Sequence, residues 1–204
     1  MNDALNAQAQ ATLRTLTANS YPGRGIVLGR SPDGSRLLQL YWIMGRSANS
    51  RNRRFVAEGD SLRTEAVDPA ALADPSLVIY TAMDRVENHH VVTNGDHTDT
   101  IMIALRQGRG EHGALAARMH EPDPPNNTPR IAGGQALRKG GLYAWLAIVR
   151  AEAFDARRST RFHYAFEELP AGFGYGITTY RGDGEPLPSF SGEPLLLPIA
   201  QSGQ

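Results

Sequence analysis

Asn94-Gly95-Asp96-His97-Thr98-Asp99 stands between a strand-like apolar run, Leu77 to Val92, and a helix-like run, Ile101 to Leu105. This junction brings an amide, a turn glycine, an imidazole, a hydroxyl and two carboxylates together. Polar groups at the end of a strand and the start of a helix sit on rigid supports, from which they can be aimed at a ligand. The plainer reading is a turn followed by a helix cap, with Thr98 or Asp99 at the cap position.

Working outward, the chain changes character at this junction. Upstream, Gly25 to Gly29 and Arg36 to Met44 read as strands joined by the turn Ser31-Pro32-Asp33-Gly34. The second of these is apolar on both faces, which predicts an internal strand. Phe55 to Val67 suggests a strand pair, and Asp68-Pro69-Ala70 a helix start with proline at the first helical position. Leu77 to Arg85 and His89 to Val92 form a hairpin around Glu87-Asn88. Downstream come two helices, Thr98 to Arg106 and Glu111 to Met119. After the rigid loop Pro122 to Pro129, the segments from Arg130, Leu142, Arg161, Gly174 and Leu195 are strand-like. Strands, then helices, then strands do not alternate as a parallel βαβ fold would. The prediction is an α+β fold of mainly antiparallel sheets covered by helices, either two-layered or an αββα sandwich. Leu5 to Ala18 reads as a helix that forms an N-terminal extension, residues 1–20, ahead of a single domain, 21–204.

The 204 residues suit one domain, and 41% hydrophobic content is ordinary for a globular chain. Lys+Arg and Asp+Glu balance at 21 each, so no nucleic-acid or membrane partner is expected. With no cysteine, disulfides, a thiolate nucleophile and thiolate zinc sites are excluded. Met1 to Asn19 is rich in alanine and glutamine and lacks the pattern of a signal peptide, and a cytoplasmic location is expected. Asn126-Asn127-Thr128 is then no glycosylation site. Gly108, Gly110 and Gly113 match G-x-G-x-x-G, but a helix precedes them, which makes an inter-helix turn. Arg181-Gly182-Asp183 is read as part of a turn rather than an adhesion tripeptide. His89, His90 and His97 with Asp99 could in principle hold a metal, but adjacent strand histidines point to opposite faces and cannot easily both serve one site, so this is the weaker reading and no metal is expected.

Four segments occur in a telling order: Gly45-Arg46-Ser47 continuing to Asn52-Arg53; Tyr80; Thr93 to Asp99; and Asn127-Thr128-Pro129-Arg130-Ile131-Ala132. They resemble the archaeal-type IMP cyclohydrolase family over Tyr21 to Ala132. The likeness continues more loosely from Gly174 to Pro194, where Ile177-Thr178-Thr179-Tyr180 and Pro188-Ser189-Phe190 resemble the bacterial branch. The resemblance implies closure of 5-formamidoimidazole-4-carboxamide ribonucleotide to inosine monophosphate with loss of water. It also implies no cofactor, and a four-layer αββα sandwich like that of the N-terminal nucleophile hydrolases.

In that reaction an amide nitrogen must lose a proton while the formyl oxygen gains charge and leaves. Under the resemblance, Arg46 and Arg53, with Asn52 beside them, hold the phosphate through forked hydrogen bonds. Arg130 binds phosphate or orients the formyl oxygen. Tyr80 and Asn94 hold the base edge or the oxyanion, and Asn127 contacts the ribose or carboxamide. Asp99 or His97 accepts the proton and the other orients it. Each role has a structural alternative: a solvated arginine patch, a core Tyr80, a His97 bonded to a carbonyl, an Arg130 paired with Asp123. The rival activities are an amidohydrolase on another substrate and a non-catalytic purine-nucleotide binder. The nucleotide is the expected partner, and a homo-oligomer the expected assembly.

Overall fold

A computed structural model describes residues 2–72, 75 and 78–200 of the chain. It is an α+β protein of two antiparallel sheets. The smaller sheet comprises β1 (Gly25–Arg30), β2 (Leu37–Trp42), β10 (Phe173–Thr178) and β11 (Leu195–Pro198), in the order β11-β10-β1-β2. The larger runs in sequence order through β3 (Arg54–Glu58), β4 (Ser61–Glu65), β5 (Thr81–Val86), β6 (His89–Thr93), β7 (Arg130–Arg138), β8 (Gly141–Ala151) and β9 (Ser159–Phe166). The helices are α1 (Asn2–Ala18), α2 (Ala48–Arg51), α3 (His97–Arg106) and α4 (Glu111–Ala116). No described helix is long and apolar enough to cross a membrane.

Period-two patterning sorts the larger sheet's side chains to two faces. Val92, Ile131, Leu146 and Ile148 meet Ile26, Leu28 and Ile177 of the smaller sheet in one buried cluster. Val91, Ala132, Trp145, Ala147 and Val149 face the other way and pack against Ile101, Met102 and Ala104 of α3 and Leu115 of α4. The sheets approach closely at Gly133, where a Cβ would lie 3.0 Å from Leu146 and 3.2 Å from Ile26. β7 continues through Gly133-Gly134 to Arg138, paired with β6 and β8, beyond the short strand expected from Arg130 to Ala132. Helix α1 lies along edge strand β11, with Ala9 buried against Phe173 and Leu196.

The hairpin turns follow the sequence. Gly34 adopts φ +72°, and the Asp33 carboxylate accepts from the Ser31 and Ser35 hydroxyls at 2.5 and 2.8 Å. Asp68 caps a single 3-10 turn, Pro69–Ala71, rather than a longer helix. The expected strand start at Leu77 lies outside the described residues, and β5 begins at Thr81. Two expectations are corrected. Asp96, not Thr98 or Asp99, stands at the N-cap of α3, so both of those lie within its first turn. β2 is an edge strand, with Leu40 46% exposed, rather than an internal one. Apolar side chains on both faces report what packs above and below a strand, not whether a second strand lies beside it.

Candidate active site

One end of the two sheets gathers the approach to β1, the end of β6, the start of β7 and the loop between α4 and β7. Asn94 fastens the two central strands there: its Nδ2 donates to the Pro129 carbonyl (2.9 Å) and its Oδ1 accepts from the Ile131 amide (2.8 Å). The side chain is fully buried. Over this joint lies a pocket of about 330 Å³, lined by Arg24, Glu121, Thr128 and Tyr180 among others at its base and by Arg46 and Arg53 from the arginine loop. That volume falls in the range of small-molecule sites.

Arg24 and Glu121 form the floor. Arg24 enters just before β1, where its amide donates to Thr179 Oγ1 (3.0 Å). Its Nη1 donates to the Asn94 carbonyl (3.0 Å) and to Glu121 Oε1 (3.2 Å), and its Nη2 to Glu121 Oε2 (3.1 Å). Arg24 is 8% and Glu121 3% exposed. Burial pushes the Glu121 carboxyl above the ordinary range, against the pull of Arg24. Next to this pair the hydroxyls of Tyr41 and Tyr80 share a 2.6 Å hydrogen bond, and burial, followed by Tyr80, drives Tyr41 far up.

A second polar line enters from Tyr180. The Thr128 hydroxyl donates to Asp123, so its oxygen is left to accept from the Tyr180 hydroxyl at 2.6 Å. Burial pushes Tyr180 up to about 12, so it remains a proton donor. Asp123 accepts again from the Thr128 amide at 2.6 Å.

The arginine loop frames the opening. Ser47 and Ser50 cap α2 reciprocally, and Arg51 Nε donates back to the Gly45 carbonyl (2.8 Å), which braces the loop. Arg46 Nη1 donates to Asp183 Oδ1 (2.9 Å), and its guanidinium lies 5.2 Å above the Tyr21 ring, which in turn stacks on Tyr180. Arg53 differs from its neighbours: its Nε is buried and makes no hydrogen bond among the described residues. A buried donor without a partner costs about 1–3 kcal/mol, and an anionic ligand would remove that cost. Arg54 instead pairs with Glu65 across β3 and β4 at 3.1 Å.

The residues anticipated from sequence divide accordingly. Arg46 and Arg53 line the pocket. Tyr80 is buried behind it through Tyr41, and Asn94 supports it through Arg24. Asn52 instead ties the loop to Asp68, with hydrogen bonds of 2.7 and 2.8 Å. Asn127 occupies a left-handed position (φ 46°) and donates to Pro125, whereas its neighbours Asn126 and Thr128 face the pocket. Arg130 is held by the Met119 carbonyl (2.8 Å) and Asp96 (2.6 Å), not by Asp123. His97 and Asp99 do not meet at the pocket. His97 is fully buried beneath α3, with Nε2 3.0 Å from the Ile131 carbonyl. Burial and then Arg130 lower its pKa to about 3. Asp99 is exposed on the first turn of α3. Sequence reasoning passed over Arg24 and Glu121, met Asp123 only as a partner for Arg130, and met Tyr180 only inside a motif with no role assigned. Their signals were slight: a charge between Gly23 and an apolar strand, and two acids bounding Pro122.

Neither pocket carboxylate points to a metal, since Glu121 is committed to Arg24 and Asp123 to Thr128. Known proteins resemble the chain over most of its length. A family described as IMP cyclohydrolase-like protein matches residues 21–195. The chain is 31% identical over 175 residues to an IMP cyclohydrolase of Methanothrix thermoacetophila, covering 82% of this chain and 78% of the relative. It is 31% identical over 171 residues to that of Thermococcus kodakarensis, covering 80% and 75%. The IMP cyclohydrolase of Methanopyrus kandleri is 32% identical over 135 residues, covering 65% of each.

Proposed function

The chain belongs to the IMP cyclohydrolase-like family, and from that premise we propose how its pocket closes the purine ring. It is an IMP cyclohydrolase: 5-formamidoimidazole-4-carboxamide ribonucleotide loses water to give inosine monophosphate. The observation that carries the assignment of roles is the pairing of cationic mouth and buried acid. Arg53 holds at the opening a buried donor with no hydrogen bond among the described residues, while Glu121 stands at the floor with its carboxyl raised by burial.

Arg46 and Arg53 grip the phosphate, and the heterocycle lies inward between Tyr180 and the Arg24–Glu121 pair. Confinement in one plane brings carboxamide nitrogen and formyl carbon together, which supplies much of the acceleration for an intramolecular reaction. As the C–N bond forms, Glu121 takes the proton from the nitrogen, and the formyl oxygen develops charge beside Arg24. The same carboxyl passes that proton to the oxygen, giving a hydroxyl, then takes the proton of the formamido nitrogen as the ring C=N bond forms and delivers it to the departing hydroxyl, which leaves as water. A carboxyl raised by burial holds a proton more readily than an ordinary carboxylate, which suits the return of the proton to oxygen. Tyr180, oriented by Thr128 and Asp123, contacts the base edge. Tyr80 acts through Tyr41 on Arg24, and Asn94 fixes Arg24 through its carbonyl. Asn52 and Arg130 brace the surrounding loops, as does Asn127, and His97 holds α3 to β7. Asp99 has no role in this scheme.

The sandwich of the N-terminal nucleophile hydrolases is part of the proposal. Two stacked sheets with α3 and α4 on the outer face of the larger supply three of its layers, and α1, ahead of the matched region, runs along β11 as an added element. We place the enzyme in the cytoplasm as a homo-oligomer, which the exposed apolar side chain of edge residue Leu40 favours. The direct test is incubation of the purified chain with the formamido ribonucleotide while purine absorbance is followed. Product formation in step with enzyme concentration is expected, and its absence would remove the activity.

A further inference from the structure

A second group of chemically able side chains lies outside the pocket, on the face of the larger sheet that carries α3 and α4. Glu111 opens α4 and His112 follows it. His163 is on edge strand β9, paired with Ala147, whose side chain faces the same helices. The donor atoms of all three lie within 4.8 Å of one another. Glu111 Oε1 is 3.4 Å from His112 Nδ1 and 3.6 Å from His163 Nε2. The second separation is too long for a hydrogen bond. His163 Nε2 is consequently buried with no hydrogen-bond partner among the described residues.

Ordinary packing does not account for this arrangement. Two imidazoles stand with ring centres 3.5 Å apart over one carboxylate, and one of their nitrogens is sealed from water without a hydrogen-bond partner among the described residues. Bonds of about 2.0–2.2 Å to a tetrahedral zinc ion place neighbouring donor atoms about 3.3–3.6 Å apart. Two of the three separations here match that spacing.

We propose that Glu111, His112 and His163 bind a divalent zinc-type cation through Glu111 Oε1, His112 Nδ1 and His163 Nε2. His112 is 64% exposed at the side chain, so the fourth position opens to solvent. Two imidazoles and a carboxylate favour zinc over magnesium or calcium, which take oxygen ligands. The surroundings match a ligating set. The Tyr143 hydroxyl donates to Glu111 Oε1 at 2.6 Å, and Trp145 stacks on the His163 ring, 5.7 Å between centres and 14° from parallel. Such outer partners fix ligand orientation.

The experiment is a calorimetric titration of the chelator-treated full chain with Zn²⁺, repeated with Co²⁺ while visible absorbance is recorded. One equivalent of Zn²⁺ should bind, and Co²⁺ should give the intense bands of a tetrahedral nitrogen–oxygen site. His112→Ala removes an exposed ligand without disturbing the core and should weaken binding by about 100-fold; Glu111→Gln should match it, and Tyr143→Phe should cost about 10-fold. Zn²⁺ should raise the Tm of the unaltered chain and leave that of His112→Ala unmoved. The inference is overturned if no stoichiometric Zn²⁺ binds. It is equally overturned if binding is indifferent to both His112→Ala and Glu111→Gln, or if Mg²⁺ binds as well as Zn²⁺.

Discussion

Arg24 and Glu121 are joined by two parallel hydrogen bonds, 3.2 and 3.1 Å long, where both are nearly sealed from water. A pair this deeply placed adds little net stability, because desolvation offsets the attraction, yet removal of one partner strands the other at a cost of about 3–5 kcal/mol. The pair joins the approach to β1 to the loop before β7, so it ties segments 97 positions apart as well as facing the pocket. Glu121→Gln keeps the shape and one acceptor for Arg24, replaces the other acceptor by a donor, and abolishes proton exchange. We expect kcat to fall by about 10²–10⁴-fold with KM little changed. Steady-state kinetics with a parallel unfolding curve decides the matter. A folded Glu121→Gln enzyme with ordinary turnover would take Glu121 out of the chemistry.

Arg53 makes the opposite prediction. Its Nε, with no hydrogen bond among the described residues, is assigned to phosphate, which does not change charge during ring closure. Loss of such a contact weakens ground state and transition state alike, so KM rises while kcat holds. A charge-assisted hydrogen bond is worth about 1.5–3 kcal/mol, so Arg53→Ala should raise KM by about 10–150-fold. Product-inhibition constants for inosine monophosphate should rise in parallel. A fall in kcat at constant KM would place Arg53 at the reacting atoms instead.

Asp183 competes for Arg46. The two form a half-exposed ion pair of 2.9 Å across the mouth of the pocket, between the arginine loop and the segment after β10. An incoming phosphate must share or displace that contact. Exposed pairs are worth about 0.2–1 kcal/mol, so Asp183→Asn should lower KM by up to about 5-fold, most clearly at low salt. A raised KM would mean that Asp183 serves to aim Arg46.

Much of the fold was legible because it rests on local signals. Ser31-Pro32-Asp33-Gly34 encodes its turn, and the alternation from Ile131 through Val149 encodes two buried faces. The site was legible only in part. Arg46 and Arg53 stand out because arginine is crowded into one polar loop, and crowding is visible in one dimension. Glu121 and Arg24 are separated by 97 positions, and each is unremarkable until burial pairs it with the other. Burial likewise separates His97 from Asp99. Both start the same helix, but its N-terminal turn buries one against β7 and leaves the other in solvent. A cluster of polar residues in sequence therefore indicated the right end of the molecule, while the direction of each side chain was set by packing.

The Tyr180 line gives a graded test. Its hydroxyl donates to Thr128, which donates to Asp123, so the ring is locked by a chain of two hydrogen bonds. Tyr180→Phe keeps the stack on Tyr21 and removes only the hydroxyl. The expected effect is a loss of about 10-fold in kcat/KM, in keeping with one hydrogen bond of about 1 kcal/mol or slightly more. Thr128→Val should reproduce it, since the hydroxyl then loses its acceptor. If Thr128→Val is silent while Tyr180→Phe is not, the tyrosine acts without its relay.

His97 supplies a prediction about stability rather than turnover. Burial first, and then the neighbouring Arg130, hold its imidazole at about 3, against 6.5 for an ordinary histidine. Above pH 6.5 neither folded nor unfolded chain carries the proton. Between that value and about 3 the unfolded chain binds a proton that the folded one refuses, so stability falls as pH falls. The slope approaches about 1.4 kcal/mol per pH unit, or about 2 kcal/mol lost by pH 5, and it levels off once the folded state also protonates. His97→Gln retains a donor for the Ile131 carbonyl but has nothing to titrate. Urea unfolding midpoints at pH 7, 6 and 5 should fall more steeply for the unaltered chain than for His97→Gln. His90 and His120 are also lowered, by burial first, so some acid sensitivity persists in the variant and the difference between the two curves isolates His97. Parallel curves would show that the proton is taken up elsewhere and that His97 is not the neutral, buried clamp between α3 and β7.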